Sequence, residues 1–533
     1  MQTGYISFLL AFTLVVFCTA ASANGATQGP QPVHFETSCS AEIRDRFDYG
    51  ITMLHSFEYP ETGRVFGELI EEEPGCAIAY WGAAMSVWHP LWAPPSVADL
   101  RRGAELLAAT NQLEATPRER AYLDALRAFF SEADPSTHSA RAQRYADAMS
   151  TVYSTYRDTD SESTVFYALA LLAAANPRDK TYSNQFRSAG LLTWVRETQP
   201  LHPGVLHYII HSYDFPGLAH LALSAAKEYA EAAPDSAHAQ HMPSHIFTRL
   251  GLWEQSLLSN HDSTRSAAEY TERANLPGHY DEGLHSIDYL MYAMLQTARD
   301  DEAAALLERL ADIDRTDTEN FKVAYTYASS PARYVLERRA WVEAADLELV
   351  REDFDWDDFG FALSIHHFAR GIGAARSGQI ERTREELAKI RDIQAQMPTS
   401  TLPYWREQVQ VHIDVIEAWI LKSEGKLERA LVSANAAADL EDSVDKHPVT
   451  PGEVLPAREL LADMLLEMGE PSKALVEYET VLENSPNRLN ALVGAAEAAD
   501  NAGRPELAAS IREAVSSQVQ KGSGPRVTRL GAY

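Results

Sequence analysis

The residues best placed to do chemistry in this chain are histidines. His207 and His211 lie four apart in His207-Tyr208-Ile209-Ile210-His211, and His241 and His245 lie four apart in His241-Met242-Pro243-Ser244-His245. On a helix that spacing sets both rings of a pair on one face. His207 precedes His241 by 34 residues, and His211 precedes His245 by the same 34. Seven of the 18 histidines fall between His202 and His245. Neutral imidazoles bind zinc, copper or iron, with metal–nitrogen distances of about 2.0 Å. Packed helices lie about 8–10 Å apart, so two pairs on neighbouring helices would converge on one ion or hold two close together. Two other readings stand beside the metal one: a polar site for a non-metal ligand such as a peptide carboxylate, and structural histidines bonded to adjacent helices.

Other chemistries lack their residues. There is no serine-nucleophile elbow, no phosphate-binding glycine loop and no dinucleotide fingerprint. Tyr208 follows His207 where a zincin places its glutamate, so the general base of that mechanism is missing. The 46 basic and 76 acidic residues give a net charge of −30. Such a chain repels phosphate backbones, so nucleic acid is not an expected partner.

Helices must position the histidines. Ala, Leu, Glu and Arg dominate amphipathic runs, and strand-like alternation is scarce. The sequence resembles the tetratricopeptide repeat, a 34-residue helix pair with Gly near position 15, an aromatic near 17, Ala at 20 and Pro at 32. Residues 203–236 carry Gly217, Ala222 and Pro234 at positions 15, 20 and 32, and residues 237–270 carry Gly251 and Trp253 at 15 and 17. Residues 455–488 match best, with Gly469, Ala474 and Pro486. The resemblance covers most of residues 43–520 in about ten units, and residues 111–202, although helical, match it poorly. It implies an all-α fold, a right-handed superhelix (α-solenoid) of helix-turn-helix repeats with a concave groove. Segments around His55-Ser56-Phe57-Glu58-Tyr59, Ala79-Tyr80-Trp81-Gly82 and His241 to Phe247 also resemble a set of exported bacterial tetratricopeptide-repeat proteins, which implies no activity.

In such repeats positions 2, 5, 9, 12 and 13 of each first helix face the groove. His207, His211 and Asp214 then take positions 5, 9 and 12 of one unit, and His238, His241, His245 and Arg249 take 2, 5, 9 and 13 of the next. The unit after an insertion at about residues 264–283 places His285, Asp288 and Tyr292 at 2, 5 and 9. His207, His211, His241 and His245 are the expected metal ligands, with Asp288, Asp214 or His285 as general base or further ligand. Pro243 either kinks the helix between His241 and His245 or starts a new one there. The insertion, with His279, Asp281 and Glu282, would fold over the groove as a lid or remain a surface loop. His55 and His89, with Trp81, Trp88 and Trp92, would form an aromatic end of the groove or simply pack.

At 533 residues the chain exceeds a single compact core. Residues 1–23 read as a signal peptide, with an apolar run from Ile6 to Cys18 and a small-residue site at Ala21-Ser22-Ala23. A flexible leader (24–42), an N-terminal array with the histidine-rich groove (43–300), a C-terminal array (301–520) and a frayed tail (521–533) follow. Cys39 and Cys76 are expected to pair in an oxidising compartment, rather than stay as two free buried thiols. No later segment is apolar enough to span a membrane. The expectation is a periplasmic or secreted protein that binds a transition metal (Zn, Cu or Fe). It would act as a metal-dependent hydrolase or oxidoreductase on a small molecule or peptide in the groove. The alternative is a non-catalytic scaffold that holds a peptide or protein there.

Overall fold

The computed structural model describes residues 33–92, 94–398 and 401–531. The expected signal peptide lies outside them. Helices follow one another almost without interruption, and the described residues contain isolated bridges but no strand. The first half runs through α1 (Arg44–His55), α2 (Tyr59–Glu72), α3 (Ala77–Met85), α4 (Val97–Ala109), α5 (Pro117–Phe129), α6 (His138–Tyr156), α7 (Ser161–Ala173) and α8 (Ser183–Arg196). The site helices come next: α9 (Pro203–Tyr213), α10 (Leu223–Ala232), α11 (Ala237–His241), α12 (Pro243–Arg249), α13 (Trp253–Arg273) and α14 (Asp281–Gln296). Beyond them lie α15 (Asp300–Ala311), α16 (Phe321–Glu337), α17 (Trp341–Ala345), α18 (Gly360–Arg376), α19 (Ile380–Gln396), α20 (Pro403–Ser423) and α21 (Leu427–Asp442). The chain closes with α22 (Ala457–Glu467), α23 (Pro471–Asn484), α24 (Leu489–Asn501), α25 (Pro505–Gln518) and α26 (Pro525–Gly531).

Local chemistry sets the boundaries. Ser96 and Thr116 cap α4 and α5 with reciprocal bonds to Asp99 and Glu119. Proline opens α5, α9, α12, α20, α23 and α25, where its missing N–H costs nothing. Each helix packs on its sequence neighbours, and α14, α16, α18 and α20 also pack in succession, forming a right-handed superhelix of tetratricopeptide-like pairs. Distant turns of the superhelix also meet. Helix α1 packs on α9; a Cβ at Gly204 would lie 2.5 Å from His55 Nδ1, so this approach requires glycine. The turn before α24 docks on α13, where the Trp253 indole donates to the Asn487 carbonyl at 3.0 Å. Gly251 there has φ +64°, and a Cβ would fall 2.3 Å from the Pro486 carbonyl oxygen.

Several expectations are corrected. Residues 33–38 are packed rather than flexible: Phe35 is fully buried, stacks on Trp81 at 5.5 Å and lies beneath Arg118. Cys39 and Cys76 form the disulfide expected of them, which ties this segment to the start of α3. The tail ends in α26, whose Arg526 pairs with Asp300 at 2.7 Å. The insertion is no lid. It lengthens α13, and its following turn docks through the His279 N–H, which donates to the Arg315 carbonyl at 2.8 Å. The cover over the histidines instead comes from residues 443–456, between α21 and α22. Lys446 Nζ reaches Asp214 at 2.9 Å, His447 donates to the Trp92 carbonyl at 2.8 Å, and the Tyr289 hydroxyl bonds the Thr450 carbonyl at 3.0 Å. No helix among the described residues is long and apolar enough to cross a membrane.

Candidate metal centre

Helix α9 begins at Pro203 behind His202, whose ring Nδ1 accepts the Val205 N–H and caps the helix. One and two turns on, His207 and His211 turn toward each other, with their Nε2 atoms 3.1 Å apart. The second pair spans a break. Helix α11 ends at His241 and α12 starts at Pro243, the second of the two arrangements expected for that proline. The four-residue geometry survives because Met242 between them keeps helical dihedrals (φ −53°, ψ −36°). His241 Nε2 and His245 Nε2 lie 3.0 Å apart.

A third ring joins each pair. His207, His211 and His238 bring one ring nitrogen each within 4.8 Å of one another, and His241, His245 and His285 do the same. The trios share one rule: positions 5 and 9 of a repeat, with position 2 of the next. They adjoin, since the His211–His245 and His238–His241 ring centres are each 6.1 Å apart. The described structure thus holds six histidines in two groups of three, where the spacing analysis expected four as ligands and left His238 unassigned.

The outer ring nitrogens fix the tautomers. His207 Nδ1 donates to the His55 carbonyl at 2.6 Å, and His245 Nδ1 to Asp214 at 2.8 Å. His241 Nδ1 donates to Asn260 Oδ1 at 2.7 Å, and His238 Nδ1 to Glu282 at 3.1 Å. Asn260 is held in that orientation because its amide donates to the Ser256 carbonyl. Each partner atom is an acceptor, so each Nδ1 carries the proton and each Nε2 a lone pair. In the second trio this leaves two lone pairs facing each other across 3.0 Å in a buried site. Two imidazole nitrogens bound to one ion at about 2.0 Å would sit about 3 Å apart. His238 Nε2 and both ring nitrogens of His285 are buried without a hydrogen-bond partner among the described residues. Leaving each such group unpaired costs about 1–3 kcal/mol.

Five of the rings are held neutral. Burial, reinforced by the other histidines, pushes His207, His211, His241 and His285 well below the usual imidazole range. Burial takes His245 down to about 4, even though Asp214 opposes it. Burial alone would raise the Asp214 carboxyl, but Lys446, Arg249 and His245 outweigh it and hold it well below its ordinary value. Asp214 is therefore an anchor for the outer nitrogen of His245, for Arg249 and for the covering loop.

The other candidates separate cleanly. His285 stands in the second trio. Asp288, on the same helix, turns away and pairs with Arg333 at 3.0 Å and Ser329 at 2.7 Å. Arg333 in turn grips the Gly452 carbonyl at 2.6 Å, so Asp288 braces the covering loop rather than the histidines. Tyr292 bonds Arg488 at 3.1 Å. His55 and His202 both bind Glu162, at 2.8 and 2.6 Å, and their remaining ring nitrogens are engaged by Tyr208 and the Val205 N–H. That third cluster is saturated, and it serves the first trio by setting the His55 carbonyl against His207. Trp81 and Trp88 are core residues, while Trp92 packs on His238 and His285 at 5.5 and 5.2 Å. His89 stacks on Tyr59 at 4.2 Å.

Sequence reasoning missed Glu162, Asn260, Glu282 as a partner of His238, and the Lys446 loop. Position 2 was the available signal for His238, since it recurs at His285.

No protein-family model matches the chain, and no curated protein matches it. Among solved structures, a human IFIT1 dimer with m7Gppp-AAAA is similar with a TM-score of 0.37 and 13% identity, covering 90% of this chain and 95% of that one. Yeast Tom70 is similar with a TM-score of 0.32 and 11% identity, covering 91% and 93%. The P58(IPK) TPR domain follows with a TM-score of 0.20 and 14% identity, covering 70% and 98%. Likenesses this slight say nothing of what the chain does, and its tetratricopeptide-like architecture stands on the helix pairing itself.

Proposed function

We propose that the chain is a dinuclear copper protein that acts as an oxidoreductase on a small molecule. His207, His211 and His238 would hold one ion, and His241, His245 and His285 the other. The observation that carries this reading is the facing pair of buried lone pairs on His241 and His245, which needs a cation to be stable. Donor chemistry favours copper. All six donors are imidazoles, whereas magnesium, calcium and manganese seek carboxylate oxygen and the common non-haem iron site includes a carboxylate. Burying charge is costly, so a monovalent cuprous pair suits a dry, neutral site better than two divalent ions.

Redox chemistry is favoured over hydrolysis because, among the described residues, no carboxylate beside the trios is free to act as a base. Asp214 is tied to His245, Arg249 and Lys446, and Glu282 to His238 and Lys322. Two adjacent copper ions supply paired one-electron changes. With dioxygen as acceptor, two substrate molecules each losing two electrons and two protons would reduce one dioxygen to two waters. The chain's own part is to hold the rings, fix their tautomers and exclude water beneath the 443–456 loop. Copper also suits the export expected from residues 1–23. A peptide scaffold is less favoured, since that loop occupies the face of the groove before the histidines.

The test is elemental analysis of untagged protein after loading with cuprous ion. Two copper ions per chain are expected, and none in a His211→Ala, His245→Ala double variant. A wild type that retains no stoichiometric transition metal, or a double variant that retains as much as wild type, overturns the proposal.

A further inference from the structure

The two trios differ in access. His241, His245 and His285 are sealed, whereas His211 is 8% exposed and opens into a cavity of about 300 Å³. That volume is at the lower end for ligand pockets, about 300–1,000 Å³. Its walls are apolar and aromatic: Leu91, Trp92, Phe215, Leu402, Tyr404 and Val444. They come from four separate parts of the chain, and the last, Val444, belongs to the covering segment. Trp92 separates the cavity from the second trio by packing on His285.

The charges at the rim are already matched. Arg178 pairs with Glu407, Lys180 with Asp445 at 2.8 Å, and Lys446 with Asp214 at 2.9 Å. An anionic or cationic ligand would have to break one of these pairs to find a counter-charge. Three polar groups remain that can meet a neutral ligand: His211 at the inner end, the Gln185 amide, and His138, whose buried Nδ1 has no partner among the described residues.

We propose that this cavity takes a neutral molecule about the size of one substituted ring, with an apolar body and a single hydroxyl directed at His211. The first trio is then the face that meets substrate, and the second is its sealed neighbour. This deepens the copper reading by naming the substrate class, but the apolar contacts it rests on need no metal.

The experiment uses full-length protein, both copper-loaded and stripped with chelator, and 4-ethylphenol as the probe, followed by calorimetry. Val444→Trp and Leu402→Trp each fill the cavity from a partly exposed position. Binding to both forms of wild type is expected, with at least a tenfold loss in each variant and unchanged copper content. The 4-ethylbenzoate anion is expected to bind at least tenfold more weakly than 4-ethylphenol. Equal binding to wild type and to both variants, or benzoate binding as tightly as the phenol, overturns the proposal. The two readings fail separately: protein that binds the probe but takes up no copper when loaded would sink only the metal centre, and copper uptake without cavity-dependent binding would sink only the substrate assignment.

Discussion

Both halves of this superhelix bury polar side chains, and they do so by opposite rules. In the C-terminal half Arg488 lies between Glu337 at 2.7 Å and Glu459 at 2.6 Å, and all three are fully buried. Arg339 adds bonds to Glu459 and Asp463, Tyr478 donates to Asp463 at 2.6 Å, and Asn490 donates to Glu337 at 2.8 Å. Each donor named in this cluster meets an acceptor. In the N-terminal half the Nε2 atoms of His207 and His211, and of His241 and His245, meet one another, while the outer nitrogens of His207, His238, His241 and His245 are matched. A polar cluster that satisfies itself holds a fold together. One that satisfies only its outer side is built around something else.

The largest effects expected should divide the halves. Arg488→Met leaves buried Glu337 without its cationic partner and Glu459 with Arg339 alone, which costs about 3–5 kcal/mol. Chemical denaturation should show that loss, and the protein that remains folded should keep both copper ions. His241→Ala should do the reverse. A structural site of four ligands is worth about 10–16 kcal/mol, so one missing imidazole costs on the order of 3–4 kcal/mol of metal affinity. Elemental analysis should then find one copper per chain, and stripped protein should unfold at the same denaturant concentration as stripped wild type. Destabilisation of the stripped variant by several kcal/mol would mean that the histidines are structural, and the contrast between the halves would collapse.

A smaller effect tests the outer nitrogens. Removing the partner that orients a metal-bound histidine typically weakens metal binding about 10–100-fold. Asn260→Ala should produce a loss of that size at the second trio alone, since Asn260 touches His241 and no ring of the first trio. Competition with a cuprous chelator should show one weakened ion and one unchanged. Equal weakening of both would show that the two trios act as one unit.

How far the sequence revealed this site follows from how local each feature is. Spacing of four on a helix and a repeat of 34 are local regularities, so His207, His211, His241 and His245 stood out, and the repeat register carried His285 with them. The same register pointed Asp288 inward. It has no knowledge of Arg333, 45 residues on, which takes the carboxylate for itself. Asn260 comes from the second helix of His241's own repeat, but Glu162 lies 40 residues before His202 and Lys446 lies 232 residues beyond Asp214. Contacts across turns of a superhelix leave no periodic trace. The helix break at Pro243 was legible, but its harmlessness was not, because that depends on the dihedrals of Met242.

The smallest effect concerns acid, and its sign follows from the histidines held neutral by burial. His245 is lowered to about 4 and His412, by burial alone, to about 3. An unfolded chain takes up these protons near the ordinary value of about 6.5, and the folded chain does not. Above that value both states are neutral and the stability is fully present. As pH falls below it the unfolded state binds more protons, and each such ring removes up to about 1.4 kcal/mol per pH unit until the folded pKa is passed. Stripped protein should therefore lose stability steadily between about pH 6.5 and 3–4. His412 packs on Phe368 at 4.3 Å, away from both trios. His412→Phe should flatten the slope by about one proton without touching copper content, as read from denaturation midpoints at several pH values. An unchanged slope would show that His412 is as easily charged inside the fold as outside it, and that burial alone does not hold a histidine neutral in this protein.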